Sequence, residues 1–168
     1  GTYVTRQMIY LAHTHRSYLT MITPENTLGP DLATSWEATP DAAEWTFTLN
    51  ENATFHSGKK CTAADVVASF NHHRGENSTS AAKALLTDVT DVRADGDYTV
   101  VFTLSRGNAD LPWLMTDYHF AICPANDDGS INWQSGDGTG PYKIDSGEFG
   151  IQWELSRHDG WHGEGAWF

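Results

Sequence analysis

The stretch from Trp45 to Phe70 constrains the fold more than any other part of the chain. Trp45-Thr46-Phe47-Thr48-Leu49 alternates apolar and polar residues with period two, the pattern of a strand with one buried face. Asn50-Glu51-Asn52 breaks the alternation, Phe55 directs one more ring at the core, and Ser57-Gly58 predicts a turn. Thr62-Ala63-Ala64-Asp65 follows. Its hydroxyl can accept from the free amides of a first helical turn, and its carboxylate sits where the helix dipole favours negative charge. Behind this cap Ala63, Val66, Val67 and Phe70 recur at i, i+3, i+4 and i+7, the stripe of an amphipathic helix. Strand, turn and capped helix are structural elements, so function has to be sought elsewhere.

The remaining pattern is a mixture of short strands and short helices. Residues 3–12 place Val4, Met8, Leu11 and Ala12 on one helical face. Pro24, Gly29 and Pro30 punctuate a loop, and Leu32 to Ala38 reads as a strand that turns at Pro40-Asp41 to pair with the Trp45 strand. Trp36 and Trp45 read as core aromatics, although a sugar-stacking platform also uses tryptophan. The Thr62 helix ends at Asn71-His72-His73-Arg74-Gly75, and residues 79–86 predict a second helix with Ala81, Ala82 and Leu85 inward. Asp95-Gly96 between Val89–Arg93 and Tyr98–Leu104 is a hairpin signal. Asp110 to Met115 starts like a helix with Pro112 in its first turn, Tyr118 to Ile122 reads as a strand stopped by Pro124, and residues 127–140 are a glycine-rich loop. A last hairpin runs from Tyr142–Asp145 to Gln152–Leu155 with Glu148-Phe149-Gly150 at its turn.

At 168 residues, with 39% hydrophobic content, the chain can fill one sizeable core. Its net charge of −12 repels backbone phosphates and argues against nucleic acid or an anionic membrane surface as partner. Cys61 and Cys123 allow one bridge or two separate buried thiols. No Gly-x-Ser-x-Gly or His-Glu-x-x-His occurs, the glycine-rich loop lacks a following Lys-Ser/Thr, and Asp127-Asp128-Gly129 lacks calcium-loop spacing. His13 and His15 would share one side of a strand, as a metal pair or as solvent-facing histidines near a terminus. His72-His73 cannot point one way on a helix, and Gly160 makes helical spacing of His158 and His162 doubtful. No cofactor is expected.

The order of motifs carries a resemblance. Leu32-Ala33-Thr34-Ser35-Trp36-Glu37, Trp45-Thr46-Phe47, Phe55-His56-Ser57-Gly58, Thr62-Ala63-Ala64-Asp65-Val66 through Phe70, and Gly138-Thr139-Gly140-Pro141-Tyr142 together resemble the family 5 extracellular solute-binding proteins of peptide and nickel ABC importers. The resemblance implies an α+β fold of the periplasmic-binding-protein type II kind: a partial N-terminal lobe with mixed or antiparallel hairpins and short packing helices. It divides the fragment into ligand-lobe parts, about 1–30 and 138–168, and a smaller subdomain, about 31–137. Family members are several hundred residues long, so the chain is expected to be a piece of a larger receptor.

By the same resemblance the function is capture of a short peptide, nickel complex or related solute for delivery to a membrane permease, without catalysis. The partners are that ligand and that permease, the expected state is monomeric, and the location is periplasmic or extracellular, with a lipid anchor left open. Motif position offers Tyr10, His13, Asp117, Tyr118, His119 and Thr139 as ligand-facing residues, with a backbone-bonded histidine at the core edge as the other reading of His119. Ala12-His13-Thr14-His15 stands where the family has an acidic, small and apolar stretch, which leaves the ligand type open. The alternative function is a carbohydrate-active enzyme or carbohydrate-binding module built on acidic residues and tryptophans. A metal-storage module would need histidine spacing that the chain lacks.

Overall fold

The alternation at Trp45 to Leu49 becomes the centre of a four-stranded antiparallel sheet. The computed structural model describes residues 6–148 and 151–163, with the side chains of residues 6–8 outside the description. In chain order the elements are α1 (Arg6–His15), β1 (Thr20–Ile22), β2 (Leu28–Pro30), β3 (Ala33–Ala38), β4 (Glu44–Leu49), α2 (Ala63–His73), β5 (Val89–Ala94), β6 (Thr99–Leu104), α3 (Leu111–Leu114), β7 (Tyr142–Glu148) and β8 (Gln152–Arg157). Short 3-10 helices occupy Ala81–Leu86 and Tyr118–Phe120. The main sheet has the order β3-β4-β6-β5, while β1-β2 and β7-β8 form separate two-stranded ribbons.

Trp45, Phe47 and Leu49 are buried on β4, as their period-two spacing requires. They pair across to β6, where Phe47 lies opposite Val100 and Trp45 opposite Phe102. Helix α2 lays Ala63, Val66 and Phe70 on this sheet. Phe102 meets Phe47 edge-on at 5.4 Å and Phe70 edge-on at 4.9 Å, and Phe70 stacks on Phe120 at 5.2 Å. All four rings are at most 1% exposed, each contributing roughly 1.5–3 kcal/mol by leaving water.

Asp65 ties the sheet-and-helix unit to the rest of the chain. It is fully buried. Its Oδ2 accepts from the Thr62 amide at 2.9 Å and the Thr62 hydroxyl at 3.0 Å. Its Oδ1 accepts from Lys59 Nζ at 2.6 Å and from the Ala125 amide at 2.8 Å. The capping carboxylate therefore also anchors the segment after Cys123. The two cysteines are free and buried, the separate-thiol arrangement.

Four local expectations are corrected. Residues 20–30 are a hairpin, with Thr20 opposite Pro30 and Ile22 opposite Leu28, rather than a loop. The helix at 79–86 is 3-10 and spans Ala81–Leu86; Ala82 and Leu86 join the core cluster while Ala81 and Leu85 are exposed. Tyr118 to Ile122 is no strand: Asp117 accepts from the His119 amide at 3.0 Å and winds a 3-10 turn, and Phe120 and Ile122 are buried by packing instead of pairing. His13 and His15 lie on α1, not a strand, so two residues' separation puts them on different faces: His13 exposed, His15 6% exposed. Val4, Phe149 and Gly150 lie outside the described residues.

Candidate functional site

A cleft of about 480 Å³ opens where the end of α1, the β1-β2 ribbon and the segment after β8 converge. His13, Arg16, Tyr18, Asp31 and Trp161 contribute to its walls, with Met21 and Ile22 as an apolar rim. The local chain explains each placement. Tyr18 leaves α1 buried at 3% exposure, and its amide donates to Asp31 Oδ2 at 2.8 Å. Asp31 leads from β2 into β3, and its Oδ1 accepts from His162 Nε2 at 3.2 Å. The Asp31 side chain is 10% exposed and that of His162 4% exposed. Because a carboxylate oxygen only accepts, Nε2 of His162 carries the proton in this bond.

Three polar atoms in this network have no partner: the Tyr18 hydroxyl, Trp161 Nε1 and His162 Nδ1. A buried polar group left without a bond costs about 1–3 kcal/mol, so these three atoms are the ones in the network with bonding capacity to spare. Burial pushes the Tyr18 phenol upward, and the nearby Asp31 and Asp117 carboxylates add to that against the opposing Arg16 charge. Partial desolvation at the cleft wall lowers His13, whose imidazole lies 4.7 Å from the Tyr18 ring, while Asp31 and Asp117 oppose the shift. Arg16 is heavily committed. Its Nε donates to His15 Nε2 at 2.9 Å, Nη1 to Cys123 Sγ at 2.9 Å and Nη2 to the Trp133 carbonyl at 2.7 Å.

Beside the cleft lies a joint of three histidines around Gly138-Thr139-Gly140. His56 receives the Gly138 amide on Nδ1 at 3.4 Å and donates from Nε2 to the Gly140 carbonyl at 3.0 Å. His158 Nδ1 donates to the same carbonyl at 3.3 Å, and the two rings meet edge-on at 4.9 Å. His15 donates from Nδ1 to the Leu11 carbonyl at 2.6 Å and accepts from Arg16 on Nε2. These bonds fix His15 and His56 as neutral imidazoles, since an added proton would face an N–H donor. Burial accordingly lowers all three, His15 to about 4. Glycine is required for the close approach: a Cβ at Gly138 would lie 1.8 Å from the His15 carbonyl oxygen.

Of the residues proposed from motif position, His13 lines the cleft. Tyr10 is 69% exposed on α1. Asp117, Tyr118 and His119 sit together nearby: His119 Nδ1 lies 2.6 Å from Asp117 Oδ1, and the Tyr118 ring is 3.9 Å from the His119 ring. Thr139 is fully buried. Its hydroxyl accepts from the Ser17 amide at 3.1 Å and its carbonyl from the Ser17 hydroxyl at 3.3 Å, so it faces the interior instead of the cleft. Tyr18, Asp31 and Trp161 were missed because no periodicity or motif joins positions so far apart in sequence. Trp45 and Trp36 pack with Phe47 and the core, which leaves them unavailable as a sugar platform. Among the described residues no group of three or more His, Cys, Asp or Glu is placed to hold a metal, and no helix is long and apolar enough to cross a membrane.

The sequence profile of the bacterial extracellular solute-binding proteins, family 5 (middle) matches residues 27–168. The chain belongs to this family. Among curated relatives, the probable D,D-dipeptide-binding periplasmic protein DdpA of Escherichia coli (strain K12) is 36% identical over 132 residues, covering 73% of this chain and 25% of the relative. The HTH-type transcriptional regulator SgrR of Yersinia enterocolitica is 29% identical over 146 residues, covering 86% of this chain and 25% of the regulator. The structure of AgaA in complex with agropinic acid, from A. tumefacien R10, superposes with a TM-score of 0.82 at 26% identity, covering 93% of this chain and 32% of that one. The family 5 chain thus spans about a quarter of its curated relatives' length. Its fold is that of the type II periplasmic binding proteins, with mixed α and β elements and antiparallel sheets.

Proposed function

We propose that this chain is the N-terminal-lobe segment of the solute-binding component of an ABC importer, capturing a short peptide, nickel complex or related small solute outside the cytoplasmic membrane for delivery to a permease. The observation that carries the reading is the cleft beside the histidine joint, lined by the buried Tyr18 and the half-buried Trp161, whose hydroxyl and indole N–H are unpartnered, in a family 5 chain. Capture needs no nucleophile, because no bond is made or broken. It needs concavity, apolar walls and a few convergent polar groups, and His13, Tyr18, Asp31 and Trp161 supply these. Lobe closure over a bound solute is the motion such a receptor would use.

The residue division at about 30 and 138 is supported by the bonding around Gly138. The His56 amide donates to the Gly138 carbonyl at 2.8 Å, and the Gly140 amide to the His15 carbonyl at 3.1 Å. Among the described residues the subdomain shares no sheet with the ligand-lobe parts and meets them through backbone bonds and side-chain bonds, those of Asp31 to Tyr18 and His162 and of Arg16 to Cys123 among them. Asp117, Tyr118 and His119 remain candidates for a second wall, with Asp117 close enough to act on His13. The likeness to SgrR supports a second reading in which capture serves sensing. Calorimetric titration of the full natural protein with a di- to pentapeptide mixture, and with nickel plus histidine, tests the common core of both. Micromolar or tighter binding is expected for one of them; turnover of aryl glycosides with no binding of either would overturn the reading.

A further inference from the structure

The two charged side chains that line the cleft differ in how they are presented. Arg16 has three N–H groups already spent on His15, Cys123 and Trp133. Asp31 is nine-tenths buried, and its two oxygens each accept one bond, from the Tyr18 amide and from His162, leaving lone pairs on both. Beside it stand the unpartnered Tyr18 hydroxyl, in a side chain 3% exposed, and the unpartnered Trp161 indole N–H. Asp117 adds a second negative charge acting on the His13 face of the cleft. A carboxylate entering here would meet Asp31 with Arg16 turned to other partners. A cationic head would meet a carboxylate and three aromatic rings, Tyr18, His13 and Trp161, in a setting that favours charge–ring attraction.

We infer that the cleft selects solutes by a cationic N–H head, an ammonium or a guanidinium, and that Asp31 is the specificity-determining residue, with Tyr18 and Trp161 bonding an adjacent oxygen of the same solute. The inference rests on the solute-capture reading above and goes further by naming the charge that is recognised. The Asp31–His162 bond is then a positioning device: His162 donates from Nε2 to Oδ1 and orients the carboxylate, whose remaining lone pairs are open to the cleft.

The test is calorimetric titration of the full natural protein with four probes: trialanine amide (ammonium only), N-acetylarginine amide (guanidinium only), N-acetyltrialanine (carboxylate only) and N-acetyltrialanine amide (uncharged). The expected result is that an ammonium or guanidinium probe binds at least about tenfold tighter than the other two, which of the pair wins identifying the source of the charge. Asp31→Asn keeps an acceptor oxygen for the Tyr18 amide and is expected to erase the difference. Tyr18→Phe removes only the unpartnered hydroxyl, so its thermal midpoint should hold or rise while affinity falls about tenfold. A structural role for the hydroxyl would instead lower the midpoint and leave affinity alone. Equal or tighter binding of the carboxylate-only probe would overturn the inference and make Arg16 the selecting charge, with solute capture intact. Binding of no probe, and of no peptide or nickel complex, would remove the capture reading itself.

Discussion

Acid should loosen the histidine joint, and His15 sets the size of the effect. His15 is 6% exposed, and burial holds it at about 4 against an ordinary 6.5. The folded protein therefore keeps this imidazole neutral while the unfolded chain takes up a proton. The stability it contributes is present above about pH 6.5, is lost as pH falls toward 4 and changes no further below. For these two values the linkage relation gives a loss of about 2 kcal/mol at pH 5 and about 3 kcal/mol at pH 4. His56 and His158 are also lowered by burial, so they add to the loss in the same direction as pH falls below their ordinary value. In His15→Asn the side-chain amide takes the place of Nδ1–H, retains the bond to the Leu11 carbonyl and cannot titrate. Urea unfolding followed by tryptophan fluorescence, repeated from pH 7 to pH 4, measures both proteins. The wild type should lose about 3 kcal/mol more than the variant across this range. Parallel loss in the two proteins would refute the fixed-tautomer argument for His15.

Three further outcomes follow from single contacts. Asp65→Asn leaves Lys59 without its carboxylate, weakens the cap on α2 and loosens the Ala125 anchor; urea titration should show a loss of about 2–4 kcal/mol. Gly138→Ala drives a methyl group into the His15 carbonyl, and thermal melts should show a penalty of about 2 kcal/mol or more. Cys61 and Cys123 are both buried with thiols pushed up by desolvation, so a thiol reagent such as dithionitrobenzoate should label them only when the protein is unfolded.

The legible part of the fold is the part in which neighbours in sequence are neighbours in space. The β3-β4 and β5-β6 hairpins and the α2 stripe each repeat a local period, and each appears where that period puts it. The failures share a physical cause. Phe120 and Ile122 look like a strand because they are apolar and β-prone, yet Asp117 offers its own side chain to the backbone and wins locally, while Phe70 supplies the packing partner. Ala81 and Leu85 lie outward because Ala82 and Leu86 are the residues of this short turn that reach the core cluster, a docking that no local period specifies. His15 looked like a surface residue near a terminus, and nothing local reveals that Gly138 and Gly140 close over it.

The candidate site was harder still, because its residues come together only through the third dimension. Tyr18, Asp31 and Trp161 belong to three different segments, and the bonds that gather them run from backbone to side chain across those segments. A motif records residues that must keep a fixed spacing, such as Gly138-Thr139-Gly140, whose glycines admit the close approach of His15 and whose threonine holds Ser17. The motif is thus the support of the cleft and not its wall. Thr139, offered by that motif, faces inward, while the unpartnered Tyr18 and Trp161, which no motif marks, line the open space beside it. The Asp31 carboxylate is bonded to the Tyr18 amide and to His162, whereas the joint is bonded through His15, His56 and His158, so a substitution at Asp31 should alter charge selection while leaving the joint's own bonds in place.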